Sequence, residues 1–216
     1  MKKAGFIVVT IGIAMLYTGC TKEYLQDVND VCFERDVLPV FVSNCTQSGC
    51  HNSQDREEGY DFTTYESIVS HGITPGDYKS SIVYQSLVGL GADQMPESPY
   101  ERLSDEQISA IALWIEQGAD KTTCTSTCNT DNVTYTLSVK PILQNYCNGC
   151  HSGGSPSGNI SYSTYNGVKA TVDNGTLVGS IDHAQGYVAM PQNTSKLSAC
   201  NIAIIKKWVS NGAPNN

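Results

Sequence analysis

The chain has 216 residues, of which 40% are apolar, and this is enough for a folded core rather than a disordered protein. A formal net charge of −8 argues against nucleic acid as a partner, because phosphate binding needs clustered lysine and arginine. Nine cysteines in so short a chain predict stabilisation by disulfides, a metal or a cofactor.

The first element in chain order is a targeting segment. Lys2 and Lys3 precede an uncharged apolar run, which predicts a cleaved signal over residues 1–19. Small residues precede Cys20, as in the lipobox of bacterial lipoproteins, so Cys20 is the predicted lipidation site. The alternative is an ordinary signal with an unrelated cysteine. Residues 20–31 form the expected tether, and we expect a lipid-anchored protein of the cell envelope, on the periplasmic side of a membrane, with the outer membrane favoured.

The remaining sequence contains an internal repeat of two similar copies. When the chain is aligned on two Cys-His motifs, matching residues follow in the same order: Pro39 with Pro141, Tyr65 with Tyr165, Met95 with Met190, and Trp114 with Trp208. This order predicts a tandem duplication, with one domain over residues 32–124 and another over residues 125–216. After removal of the signal, the stretch from residue 20 to residue 121 has a net charge of −12, whereas the rest has +2.

Each copy has a helical pattern. Ser104 and Ser198 are predicted N-caps of a final amphipathic helix, and Gln107 completes a capping box in the first copy. A shorter helix should lead into each first cysteine, from about Asp36 and from about Leu137. Two short helices are expected between them, over residues 65–70 and 81–88 in the first copy. Strand signals are weak, so the predicted fold class is all-α with loop-rich connections.

The second copy contains Cys147-Asn-Gly-Cys150-His151, the attachment signature of c-type haem. Two thiols at this spacing can add across the two vinyl groups of a porphyrin, and the histidine that follows can bind the iron from below. A thioredoxin-like redox pair and half of a zinc site are the alternatives for the motif taken alone.

The first copy has four residues between Cys45 and Cys50, and His51 follows. The vinyl groups of haem are a fixed distance apart, so the longer spacer must bulge outward. Because the flanking sequence matches the second copy, we expect a haem here too, although full thioether attachment stays open.

Methionine supplies the second line of evidence. After signal removal the chain has two methionines, Met95 and Met190, and each precedes a proline at the same position of the repeat. A thioether sulfur is a known sixth ligand of haem iron and raises its reduction potential. We therefore predict axial pairs of His51 with Met95 and His151 with Met190. His71 and His183 could replace a methionine, but they do not align in the repeat.

This arrangement resembles the class I cytochrome c domain, present twice over about residues 32–216. The resemblance implies that the first and last helices of each copy cross, with Phe41 against the Trp114 helix and Leu143 against the Trp208 helix. It also implies that each domain wraps around one covalently bound haem.

Four further cysteines can form two disulfides in an oxidising compartment, with three connectivities possible. One bridge in each domain is favoured, because one pair brackets the first copy and the other lies near the packed ends of the second: Cys32, Cys124, Cys128 and Cys200.

The expected function is electron transfer between redox partners by a dihaem c-type cytochrome that is not an enzyme. The acidic first copy suits a partner with a basic patch, and solubility alone is the alternative explanation of its charge. A dihaem peroxidase and a redox-sensing or accessory subunit of a larger oxidoreductase are the alternatives, the former requiring an open sixth position on one iron.

Overall fold

The computed structural model describes residues 31–90, 93–124, 128–192 and 194–216. Within these ranges the chain is helical and has no strand, which confirms the all-α class. Eight α-helices are described there: α1 (Leu38–Cys45), α2 (Tyr65–Ser70), α3 (Ile82–Val88), α4 (Asp105–Glu116), α5 (Lys140–Tyr146), α6 (Tyr165–Asp173), α7 (Thr176–Ile181) and α8 (Ala199–Ser210).

Helical structure before each Cys-His motif begins two or three residues earlier than predicted, because a turn of another type precedes the α-helix. A wide π-type turn, Phe33–Val37, precedes α1, and another, Tyr135–Val139, precedes α5. The first turn forms because Phe33 is fully buried and its amide donates to Thr122 Oγ1 at 2.8 Å. The bond to Thr122 and the contacts that bury Phe33 involve residues far away in the sequence. The helical periodicity of apolar residues does not reveal such contacts.

The two final helices begin as predicted. The Ser104 side chain accepts from the Gln107 amide, and the Gln107 side chain in turn accepts from the Ser104 amide at 2.9 Å, forming a full capping box. In the second copy Ser198 Oγ accepts from the amide of Asn201 at 3.1 Å. These caps pair amide groups that the first turn of a helix leaves without a partner.

Two hydrophobic clusters lie one after the other along the chain. In the first, Phe33 contacts Trp114 with ring centroids 5.1 Å apart, and Phe41 lies 6.4 Å from the same indole, which confirms that predicted contact. In the second, Tyr135 lies 5.5 Å from Trp208, and Leu143 is buried in the same cluster.

The contacts that close each cluster also repeat. Tyr65 donates its hydroxyl to the carbonyl oxygen of Ala119 at 3.0 Å, and Tyr165 does so to Ala213 at 2.8 Å. Each indole N–H donates to a carbonyl oxygen six residues further on, at 2.9 Å in both copies. The sequence repeat is therefore a repeat of individual contacts. Residues 125–127, at the predicted boundary between the domains, lie outside the described residues.

Candidate haem-attachment sites

Each Cys-His motif lies at the C-terminal end of a helix. Cys45 is the last residue of α1, and Cys147 directly follows α5. The chain then turns back, so that the His51 amide donates to the Cys45 carbonyl oxygen at 3.0 Å, and the His151 amide donates to that of Cys147 at 2.9 Å. The structure thus brings both cysteines and the histidine of each motif together in one loop.

The longer spacer of the first motif does not change how its loop closes. The bond from the histidine amide to the first cysteine is present in both copies, and the two extra residues are taken up between the cysteines. Ser48 and Gly49 are exposed there, and Gly49 has a φ of +80°, a conformation that favours glycine.

Asp55 holds the first loop in place, a role that the sequence analysis missed. Its Oδ2 accepts from the Gly49 amide and from the Asn52 side chain, both at 2.6 Å. The Asn52 bond and then the Gly49 bond lower the pKa of this carboxyl group, because both favour its charged form. The Asn52-x-x-Asp55 spacing is a local turn signal that could have indicated this contact.

Both motif histidines have a fixed tautomer. His51 Nδ1 lies 3.0 Å from the carbonyl oxygen of Glu57, and His151 Nδ1 lies 3.0 Å from that of Ser157. A carbonyl oxygen only accepts hydrogen bonds, so Nδ1 carries a proton, and in the neutral ring the lone pair is then on Nε2. A bond from Nδ1–H to a carbonyl oxygen is usual for a histidine that binds a metal through Nε2.

The first cysteine of each motif has a desolvated thiol. Burial raises the pKa of Cys45 and of Cys147 to about 12, with a smaller contribution from the second cysteine of the same motif. Each of the two residues as a whole is half-buried. Both thiols are therefore protonated at neutral pH.

Each methionine lies on a loop that returns to the short helix before it. The Met95 amide donates to the Ser86 carbonyl oxygen at 3.0 Å, and the Met190 amide donates to that of Ser180 at 3.1 Å. Both methionines are half-buried. His183, which has no histidine counterpart in the first copy, is exposed and donates from Nε2 to the Met190 carbonyl oxygen at 3.1 Å, and so supports this loop.

The other cysteines differ from one another. Cys128 and Cys200 form a disulfide with Cα atoms 5.4 Å apart. Cys32 and Cys124 are free thiols, the first buried and the second exposed. The two thiols are neighbours. A hydrogen bond between them is the main cause of the raised pKa of Cys124.

Within the described ranges, no group of three or more His, Cys, Asp or Glu side chains is placed to hold a metal ion. Among the same residues, no helix is long and apolar enough to cross a membrane. The predicted signal over residues 1–19 and the predicted lipidation site at Cys20 lie outside the described residues.

The chain matches no protein-family model, no curated protein and no solved structure.

Proposed function

We propose that this chain is a dihaem c-type cytochrome that carries electrons in the bacterial cell envelope. One cytochrome-c-like domain would span residues 32–124 and the other residues 125–216. The first haem would be attached at Cys45 and Cys50 and the second at Cys147 and Cys150. Bound haem would supply an iron that gains or loses one electron.

The single observation that carries this proposal is the state of the two motif histidines. In both copies the Nδ1–H group is held by a backbone carbonyl six residues further on, and Nε2 is left as the donor atom for iron. The bond recurs six residues after each histidine, although the first motif has two more residues between its cysteines.

The thiols favour haem attachment over a thioredoxin-like redox pair. Such a pair needs an attacking cysteine with a lowered pKa, whereas burial raises the pKa of Cys45 and Cys147. Thioether bonds leave neutral sulfur, which suits a desolvated position.

The methionine loops also suit an apolar cofactor. Leu90, five residues before Met95, is 59% exposed, and Val188, two residues before Met190, is 62% exposed. Large apolar side chains at equivalent loops of both copies are what a porphyrin would cover. The thioethers of Met95 and Met190 are the proposed sixth ligands, with His51 and His151 on the other side.

The proposed partners are redox proteins. The negative charge is concentrated in the first copy, so a donor or acceptor with a basic patch would be steered towards that half. The proposed location follows from the predicted signal and from lipidation at Cys20, which would keep both halves close to the membrane surface. Electron transfer of this kind requires no enzymatic chemistry.

Optical spectroscopy during a redox titration tests the proposal. Protein produced with the haem maturation machinery should show the spectrum of low-spin c-type haem, and it should take up two electrons per chain. Colourless protein from such a host would contradict the proposal.

A further inference from the structure

The two haem-attachment loops contact each other. The amide of Gly149, inside the second motif, donates to Ser43 Oγ on α1 at 3.3 Å, and α1 packs against α5. Both residues are buried. A Cβ atom at Gly149 would lie 1.6 Å from the Ser43 carbonyl oxygen, so a side chain there would force the loops apart. No left-handed φ requires this glycine, and its role is therefore steric.

The longer spacer of the first motif supplies the other side of this contact. Gln47, one of its four residues, donates from Nε2 to the Ser43 carbonyl oxygen at 2.6 Å. The same nitrogen lies 3.9 Å from Cys150 Sγ in the second motif. Gln47 thus bridges the helix before one motif and a cysteine of the other.

Polar contacts extend the interface beyond the two loops. Gln107 Nε2 donates to the Gln144 carbonyl oxygen at 3.2 Å, and Ser163 Oγ donates to Glu101 Oε1 at 2.9 Å. Each of these bonds joins the first half of the chain to the second.

We infer that Gln47, in the four-residue spacer of the first motif, and Ser43, on the helix before it, form a docking element that holds the second motif at Cys150 and Gly149 and fixes the two attachment loops as one unit. The inference rests on the proposed function for its purpose, which is to set the distance that an electron crosses between the halves. Gln47, Ser43 and Gly149 are positioning residues and do not touch the iron.

Substitution of Gly149 tests the docking, with Gly154 as the matched control. Gly154 also has no left-handed φ, and no atom lies within 4 Å of a Cβ placed on it. Gly149→Ala should lower the melting temperature by about 2–12 °C, through overpacking of the contact, and should split one unfolding transition into two. Gly154→Ala should leave both properties unchanged. In the haem-loaded protein, Gly149→Ala should also slow electron exchange between the halves.

A milder pair of variants keeps the test decisive if Gly149→Ala does not fold. Ser43→Ala removes the acceptor of the Gly149 amide, and Gln47→Ala removes the bridge to Cys150. Their effects on melting temperature should be non-additive, because both act on one contact. Additive effects, or a Gly149→Ala variant that behaves like Gly154→Ala, would overturn the inference. Unfolding can be measured with or without bound haem, so the result of this test does not depend on the proposed function. The proposed function fails only if the matured protein contains no haem.

Discussion

His51 donates from Nδ1 to the carbonyl oxygen of Glu57 at 3.0 Å, directly after a motif that has two more residues between its cysteines than its counterpart in the second copy. The bond from His151 to Ser157 has the same length. The same imidazole bond thus follows two motifs of different length, which points to a requirement on the ring itself. Binding of iron through Nε2 is such a requirement, and it guides the predictions that follow.

Replacing one of the proposed methionine ligands should change the reduction potential of one haem and leave that of the other haem unchanged. Met190→Leu retains the volume of the side chain but removes the sulfur, so the reduction potential of one haem should fall by on the order of 100 mV, within the roughly 0.8 V range that axial ligands span. The sulfur-to-iron charge-transfer band near roughly 695 nm should lose about half its intensity. Spectroelectrochemistry measures both quantities. Met95→Leu is the matched variant, and a band that survives intact in either variant would rule out that methionine as ligand.

The four cysteines outside the motifs should form two disulfides in the exported protein. Cys128 and Cys200 are bonded, and Cys32 lies beside Cys124, where an oxidising compartment would join them. Peptide mapping of alkylated, non-reduced protein should recover both pairs. Cys200→Ser should cost about 2–4 kcal/mol of unfolding free energy, because the broken bridge no longer restrains the unfolded chain. Recovery of Cys32 or Cys124 linked to any other cysteine would contradict the assignment.

Asp182 should make the second copy sensitive to acid. Its hydrogen bonds to Lys206 and then Lys196 lower its pKa from 3.8 to about 2. A lowered pKa in the folded state stabilises the protein above the ordinary value, and this contribution is lost as the pH falls towards about 2. Asp182→Asn should therefore melt below the parent at neutral pH, with a difference that shrinks at acid pH and in high salt, because the carboxylate is exposed.

Asp173→Asn is the control for this effect, since Asp173 is an exposed carboxylate with one lysine partner, Lys169, on the same helix. Thermal melts from neutral pH to about pH 2 give the comparison. If the difference in melting temperature between Asp182→Asn and the parent grows as the pH falls, the predicted direction of the pH dependence is wrong.

The two tyrosines that close the clusters should be energetically equivalent. Tyr65→Phe and Tyr165→Phe each remove one hydroxyl that donates to a carbonyl oxygen, of Ala119 and Ala213 respectively. Each variant should lose about 0.5–1.5 kcal/mol of stability, with more lost if the carbonyl group stays buried and unpaired. Denaturant unfolding measures both values. A large loss in one copy with none in the other would show that the matching contacts do not carry matching energies.

The sequence predicts best where the interactions are local. The capping boxes and short helices depend on residues three or four positions apart, so Ser104 with Gln107 could be recognised directly. The attachment motifs could also be recognised in the sequence, because their chemistry depends on the spacing between the two cysteines and the histidine. The wide turn at Phe33 was missed, since it depends on Thr122 and Trp114. The contact between Ser43 and Gly149 joins residues 106 positions apart, and no periodic pattern reports such a pair.

The most direct test of the central claim is the intact mass of the mature protein, purified from a host with the haem maturation machinery and measured under denaturing conditions. Two covalently bound haems should add roughly 1.2 kDa to the mass of the chain and its lipid. His151→Ala removes the histidine ligand of the second motif. It should lower the amount of haem attached at the second motif and leave the amount attached at the first motif unchanged. A parent protein whose mass shows no haem, with the thiols of both motifs open to alkylation, would contradict the account.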